Sequence, residues 1–454
     1  MKRDIEKELL LWVKQKERYP LIVRGARQVG KSYLVEEFAK THFQNSIIID
    51  FEFQPQLKEC FVTLSPDEII NRIQLVLGVQ INPSNTLLVF DEIQACPQAI
   101  MSLRYFKEKM PQLAVIGAGS LLEFVLQAPD FKMPVGRVQF VYLGPLSFSE
   151  FLDASGNQQL RQYLLSLKIS DKIEGIIHEK LLELLRLYLI LGGMPAVLKE
   201  YFNSKDLLVC QHLQSSLLQT YRNDFGKYAK TSQHKYLLKV FDFAPRLIGQ
   251  RVKYSNIDPE FKSRDLKNAL ELLTLAGILK PIYSSHASGL PLGAQLNEQK
   301  YKVNFLDIGL MQNACGLQSQ ISLEKDFMQI NAGSVVEQFV GQELILYNDK
   351  HQPGALFFWA RDKRGSSAEV DYVINIGPDI LPLEAKAGKT GKLKSLKIFL
   401  EEKKAKFGIR VSQEKLSYYE RVLSVPLYMI EQIPRLAGEI LGQNFGKKGW
   451  KAGE

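Results

Sequence analysis

Short apolar runs separated by stretches of helical spacing set the rhythm of the first 150 residues. Leu21 to Val23, Ile47 to Phe51, Leu87 to Phe90, Leu113 to Ile116 and Val138 to Leu143 are continuous hydrophobic runs, not alternating ones. Continuous runs belong to strands buried on both faces, so the pattern predicts a parallel sheet with crossover helices. From Ser149 to about Tyr228 the period changes: Leu181, Leu184, Leu185 and Tyr188 fall on one helical stripe, which breaks at Gly192-Gly193-Met194-Pro195.

Between His234 and Asp307 a helical stretch leads to Ser255, a second helix covers Leu266 to Leu275 and stops at Gly277, and two short strands follow. Helix, turn, helix and hairpin make a winged-helix candidate, with Lys262, Arg264 and Lys267 near its second helix. Such a module either lays basic residues on a nucleic-acid groove or packs against the nucleotide domain, and the residues leave both open. A helix over Val335 to Leu346, then strands at Ala355 to Trp359, Val370 to Ile376 and Leu381 to Ala387, predict a separate α/β unit. The expected organisation is four regions: 1–150, an α/β nucleotide domain; 151–230, a helical subdomain; 231–320, a winged-helix-like region; and 321–454, a second α/β domain.

At 454 residues, several folding units are expected at roughly 150 residues each. The four cysteines, Cys60, Cys96, Cys210 and Cys315, show neither zinc-site nor disulfide-framework spacing, so reduced thiols in a cytoplasmic protein are the reading. The charged N-terminus carries only Leu9 to Val13 as an apolar stretch, too short for a signal peptide, and no run approaches the roughly 20 apolar residues that span a bilayer, so no membrane partner is expected. A formal net charge of +9 favours anionic partners, DNA or RNA among them. Part of that excess is local, at Lys386, Lys389, Lys392, Lys394 and Lys397, followed by Lys403, Lys404 and Lys406; a solvated helix face explains these equally well.

Gly25-Ala26-Arg27-Gln28-Val29-Gly30-Lys31-Ser32 fits the P-loop pattern and lies between a predicted strand and a predicted helix, the context the motif requires. Its glycines let successive N–H groups converge on phosphate oxygens at the positive end of a helix, so all eight residues are assigned to ATP. Lys31 is expected to reach the β and γ phosphates, and Ser32 to offer a hydroxyl to Mg²⁺. Asp91 and Glu92 end the run Leu87 to Phe90, at the strand terminus where ligands bind in open α/β sheets. Asp91 is the metal carboxylate, held through water, and Glu92 the general base that activates the attacking water. Ser120, after Gly117-Ala118-Gly119, is a candidate for the γ-phosphate or that water, or else a helix cap. Arg137 is a candidate arginine finger, in its own subunit or a neighbour's, or else an ordinary salt-bridged arginine.

The P-loop with Arg27-Gln28 inside it, Asp91-Glu92-Ile93-Gln94, the stretch Pro145 to Phe151 and Gly192-Gly193-Met194-Pro195 together resemble a prokaryotic family of AAA-type ATPases with an uncharacterised C-terminal half. The resemblance covers nearly the whole chain and implies ATP use. Ala26 stands where that family usually has Pro, and Ser32 where it often has Thr.

Farther on, Glu369-Val370-Asp371 and Leu383-Glu384-Ala385-Lys386 resemble the PD-(D/E)xK nuclease pattern. Because side chains at i and i+2 share a strand face, Glu384 and Lys386 point together, and the turn Ile376 to Asp379 lets Asp371 approach Glu384. Asp371 and Glu384 are the candidate Mg²⁺ or Mn²⁺ ligands, Lys386 the stabiliser of developing charge, Glu337 an extra acid and Glu369 the alternative to Asp371. A solvent-facing charged strand face, or a nuclease fold without activity, is the plainer reading. Two functions follow: an ATP-dependent protein acting on nucleic acid, with metal-dependent cleavage; or a nucleotide-dependent switch that binds a protein partner or a second copy, its nuclease-like fold inactive.

Overall fold

The structure is a computed structural model that describes residues 1–126, 136–227, 229–316, 332–361, 368–388 and 393–442. Lys389, Lys392 and the boundary expected near residue 320 lie outside the described residues. Two compact units divide the chain. The first comprises Met1–Gly144 with the short segments Leu275–Gly277 and Lys350–Pro353; the second comprises Pro145–Thr274, Ile278–Asp349 and the residues from Gly354 onward.

In the first unit, β1 (Leu21–Arg24), β2 (Asn45–Asp50), β3 (Thr86–Asp91), β4 (Ala114–Ala118) and β5 (Gln139–Tyr142) form a parallel sheet in the order β2-β3-β4-β1-β5. All six residues of β3 and all five of β4 are buried, which is why these strands read as unbroken apolar runs. One face packs on the helices Pro66–Leu77 and Pro97–Lys109, where the rings of Phe51, Phe61, Phe90 and Phe106 meet at centroid distances of 5.2 to 6.2 Å. Truncating Phe90 at this centre removes about 3–5 kcal/mol of stability. Because β4 lies between β3 and β1, the C-terminal ends of the three strands open side by side on one edge.

The second unit holds an eight-stranded mixed sheet: β6 (Leu279–Ser285), β7 (Leu296–Phe305), β8 (Leu356–Ala360), β9 (Glu369–Ile376), β10 (Asp379–Ala385), β11 (Gly408–Ser412), β12 (Ser417–Tyr419) and β13 (Val422–Pro426), in the order β12-β13-β11-β10-β9-β8-β6-β7. The hairpin β6–β7, anticipated as a wing, continues this sheet through the parallel pairing of β6 with β8. Local alternation in the sequence marks the hairpin but not its neighbour on the other side. Strands β9 and β10 form a second hairpin, turned by Gly377 at φ 56°, a left-handed conformation that glycine adopts without strain.

The two motifs whose physical role the sequence left open meet in the helical part of this unit. Ser147 and Glu150 form a capping box at the start of the helix Phe148–Ala154. Leu146 N–H donates to the Gly193 carbonyl at 2.7 Å, and a Cβ at Gly193 would collide with the Leu146 carbonyl. Gly192, at φ 72°, passes so close to Asp307 that a Cβ there would strike its carboxylate, which accepts from Gly193 N–H at 2.6 Å and Leu310 N–H at 3.0 Å. The twin glycines end the helix Gly175–Leu191 and let these backbones touch. Full burial raises the Asp307 carboxyl to about 6, against the pull of those N–H donors.

Candidate functional site

The loop after β1 carries three residues with positive φ: Gly25 at 152°, Gln28 at 65° and Gly30 at 92°. Gly25 is required as glycine, since a Cβ would collide with the Leu143 carbonyl, and Gly30 sits left-handed at the N-cap of the helix Lys31–His42. Successive turns of this kind ahead of a helix N-terminus are the backbone arrangement that binds phosphate. Arg3 secures the loop from outside, donating to the Val29 carbonyl at 3.2 Å and the Gly144 carbonyl at 2.8 Å.

Lys31 is 7% exposed, and its Nζ donates to the Gly25 carbonyl at 3.0 Å and the Ala26 carbonyl at 2.8 Å. Burial pushes the ammonium down to about 8, against the attraction of Glu92 and Asp91. Its hydrogen bonds go to neutral carbonyls, so the cation is held in position without being neutralised. Ser32 follows on the same helix turn.

Asp91 ends β3, buried, with Oδ1 accepting from Glu92 N–H at 3.0 Å. Glu92 adopts φ 46° and ψ 44°, a left-handed conformation that costs a non-glycine residue about 1–3 kcal/mol and concentrates at functional sites. Its Oε2 accepts from Gln94 Nε2, and burial raises its pKa above the ordinary glutamate value. A raised carboxyl lies nearer the operating pH of a general base. Ser120 is buried at the end of β4, and its Oγ accepts from Arg27 Nε at 3.2 Å. The structure thus gathers the loop residues Gly25 to Ser32, Asp91, Glu92 and Ser120 on one edge of the sheet. A hydroxyl and a carboxylate at this edge are hard oxygen donors of the kind Mg²⁺ takes, one or two per site with water making up the rest.

Arg137 is elsewhere. It precedes β5 at the end where Leu21 pairs with Gln139, the opposite edge of the sheet from the loop, and its Nε donates to Glu108 at 3.1 Å. Within its own chain it is therefore not brought to the phosphate side.

The second unit assembles the other predicted residues. Asp371 on β9 accepts Ala385 N–H at 2.8 Å through Oδ2, and Lys386 Nζ donates to Glu384 Oε1 at 2.6 Å. Glu384 is 5% exposed, and its Oε2 is buried without a hydrogen-bond partner. Glu337, on the helix Ala332–Leu346, and Glu369, at the start of β9, complete the acidic group. Burial raises Glu337, Glu384 and Asp371 above the ordinary carboxylate range, with repulsion among the carboxylates adding to it and the ammonium groups of Lys302 and Lys386 opposing it. An orphaned buried carboxylate oxygen beside a second carboxylate fits a divalent cation. Among the described residues no three His, Cys, Asp or Glu side chains converge into a ready-made cage.

Three residues here carried no role in the sequence reading. Gln94 holds the Glu92 carboxylate; it sits in the Asp91 to Gln94 motif, but its partner is fixed by the strained turn. Lys302 on β7 donates to Glu337 Oε1 at 2.8 Å and lies 2.7 Å from Glu369 Oε1. Arg251 pairs with the other Glu369 oxygen at 2.7 Å. The sequence carries no signal for that network, since the burial of Lys302 within the stretch Tyr301 to Phe305 is visible only in the structure.

Comparison with known proteins agrees on the first unit. Residues 17–152 match the family model for an AAA domain, and residues 182–321 and 332–429 each match a domain of unknown function. Comparison with curated proteins gives no match. Among solved structures, the Walker-type ATPase of Pyrococcus abyssi is 18% identical, with 69% of this chain and 95% of that one covered at a TM-score of 0.43. The ORC2 protein of Aeropyrum pernix is 10% identical, with 71% and 94% covered at 0.38. The N-terminal region is an AAA-type, ATPase-like P-loop domain, a nucleotide-binding class. Among the described residues, no single helix is long and apolar enough to cross a membrane.

Proposed function

We propose that this protein hydrolyses ATP at the edge of its N-terminal sheet and that turnover governs a metal-dependent nucleic-acid site in its C-terminal unit. The observation that supports the ATPase half is the convergence of Lys31, Asp91, Glu92 and Ser120 on the ends of adjacent strands. Lys31, released from two carbonyls, meets the β and γ phosphates. Glu92, oriented by Gln94, takes the proton of the attacking water, while Ser120 and Arg27 stand on the γ-phosphate side. Ser32 and Asp91 would hold Mg²⁺, which when bound neutralises phosphate charge. Arg137, on the far edge, serves a neighbouring copy if it serves catalysis at all.

The C-terminal half of the reading rests on the orphaned Glu384 Oε2 beside Asp371. These two residues would hold the divalent cation, which polarises a scissile phosphate, and Lys386 stabilises the charge that develops. The basic balance of the chain, +9 overall, suits a polyanionic substrate.

The test measures ATP hydrolysis and cleavage of labelled DNA and RNA in one preparation. Glu92→Gln is expected to keep ATP affinity and lose about 10²- to 10⁴-fold in hydrolysis. Lys386→Ala is expected to keep hydrolysis and lose cleavage. Hydrolysis unchanged in Glu92→Gln removes Glu92 as the base; a parent that hydrolyses ATP yet neither cuts nor binds nucleic acid at low salt favours the protein-binding switch.

A further inference from the structure

In the acidic group of the second unit, four carboxylates face three cations among the described residues, and the pairing is uneven. Both oxygens of Glu369 are engaged, one by Lys302 and one by Arg251. Glu337 Oε1 holds Lys302, and its Oε2 lies against Gly249, where a Cβ would come within 3.0 Å. Lys386 takes Glu384 Oε1, and Ala385 N–H takes Asp371 Oδ2. Among the described residues, the buried oxygen of the group without a hydrogen-bond partner is Glu384 Oε2, which shares the hairpin with Asp371.

Lys302 is 1% exposed, and its ammonium also lies 5.3 Å from the centre of the Phe358 ring. A buried lysine pinned by two carboxylates and an aromatic face has little freedom to leave. A divalent ion placed on Glu337 would sit beside an ammonium 2.8 Å from the same carboxylate, where like charges at short range in a poorly solvated site repel strongly.

We infer that Lys302 is a built-in cation of this site: the acidic group takes one divalent ion, on Asp371 and Glu384, while Lys302 neutralises Glu337 and Glu369 in place of a second. This inference rests on the metal-site reading above and assigns Lys302 a positioning role, supplied by a hairpin that precedes the acidic strands in the chain. Glu337, the extra acid of the sequence reading, is accordingly a partner of Lys302 and not a ligand.

The experiment counts Mn²⁺ bound to the full chain carrying Asp91→Asn, without nucleotide, from the loss of the free-ion EPR signal. One ion per chain is expected, none after Glu384→Gln and two after Lys302→Met, with Lys302→Arg keeping one. Glu337→Gln provides a second arm that does not remove the buried cation: it should leave the count at one and the affinity within about twofold. Two ions in the parent, loss of an ion on Glu337→Gln, or a count still at one in folded Lys302→Met overturns the role of Lys302 and leaves the metal site standing. No bound ion in any of these chains removes the metal site itself.

Discussion

Each unit is organised around a buried lysine, and the two lysines are treated in opposite ways. Lys31 rests on two neutral carbonyls and burial drives its pKa down to about 8; Lys302 rests on two carboxylates, whose pull outweighs an adverse burial and drives its pKa up. Desolvation acts the same way on both. The partners decide the sign. A cation whose hydrogen bonds go to neutral dipoles, with carboxylates acting only from a distance, is ready for an anionic ligand, whereas one hydrogen-bonded to carboxylates has its counter-charge built in. The same side chain therefore prepares one site to receive phosphate and closes part of the other to a metal.

The sharpest way to break this comparison is to remove each charge in turn. Lys302→Met leaves Glu337 with an unpaired buried charge, while Glu369 keeps Arg251, and should destabilise the second unit by about 3–5 kcal/mol in chemical denaturation. Lys31→Met removes a cation that burial disfavours and should leave the stability of the nucleotide-free protein unchanged or raised. Equal losses would mean that the partners do not govern the two lysines.

Next in size is ligand affinity. Lys31→Ala should weaken ATP binding by about 10- to 100-fold, the worth of a charge-assisted hydrogen bond to phosphate, as read by titration with a fluorescent ATP analogue. Lys302→Arg should leave that affinity alone. An unchanged ATP affinity in Lys31→Ala would take the phosphate role from the loop lysine.

Smallest, and most specific to the mechanism, is a pH effect. With the folded pKa of Lys31 near 8 and the unfolded value at 10.5, the folded state holds fewer protons between these values, so this group's contribution to stability rises with pH across that window. Nucleotide binding requires the charged form. ATP affinity should therefore fall by about tenfold from pH 7 to pH 9, with proton uptake on binding at the upper end. Calorimetry in buffers of different ionisation enthalpy reads that uptake, and its absence would show that Lys31 remains fully charged throughout.

The nucleotide edge was legible because its chemistry is local. Gly25 to Ser32 is one contiguous loop, Asp91 and Glu92 end one apolar run, and Ser120 follows another, so strand ends alone predicted the meeting. The hairpin acids were legible for a similar reason: Asp371, Glu384 and Lys386 lie on two strands joined by a tight turn. Lys302 was not. In β7, Tyr301, Val303 and Phe305 alternate with Lys300, Lys302 and Asn304, which reads as a strand with one wet face. The structure turns part of that polar face onto the helix Ala332–Leu346, where Asn304 donates to the Gln338 carbonyl at 3.2 Å and Lys302 to Glu337. Periodicity reports that a strand has two faces; which of them meets solvent depends on what packs there from 35 residues away. Arg137 does not reach the phosphate edge because it precedes β5, and in a parallel sheet the residue before a strand lies at the end opposite the loop that follows β1.

The pairing of β6 with β8 has a consequence for inheritance. A gene fragment beginning in the sequence after β7 would encode the acidic strands and β8 without β6, the strand that β8 pairs with, and without the lysine that balances Glu337 and Glu369. Recombination that shuffled the last third of this chain onto a different ATPase would deliver an open sheet edge and an uncompensated charge. The hairpin and the acidic strands can be passed on together or not at all.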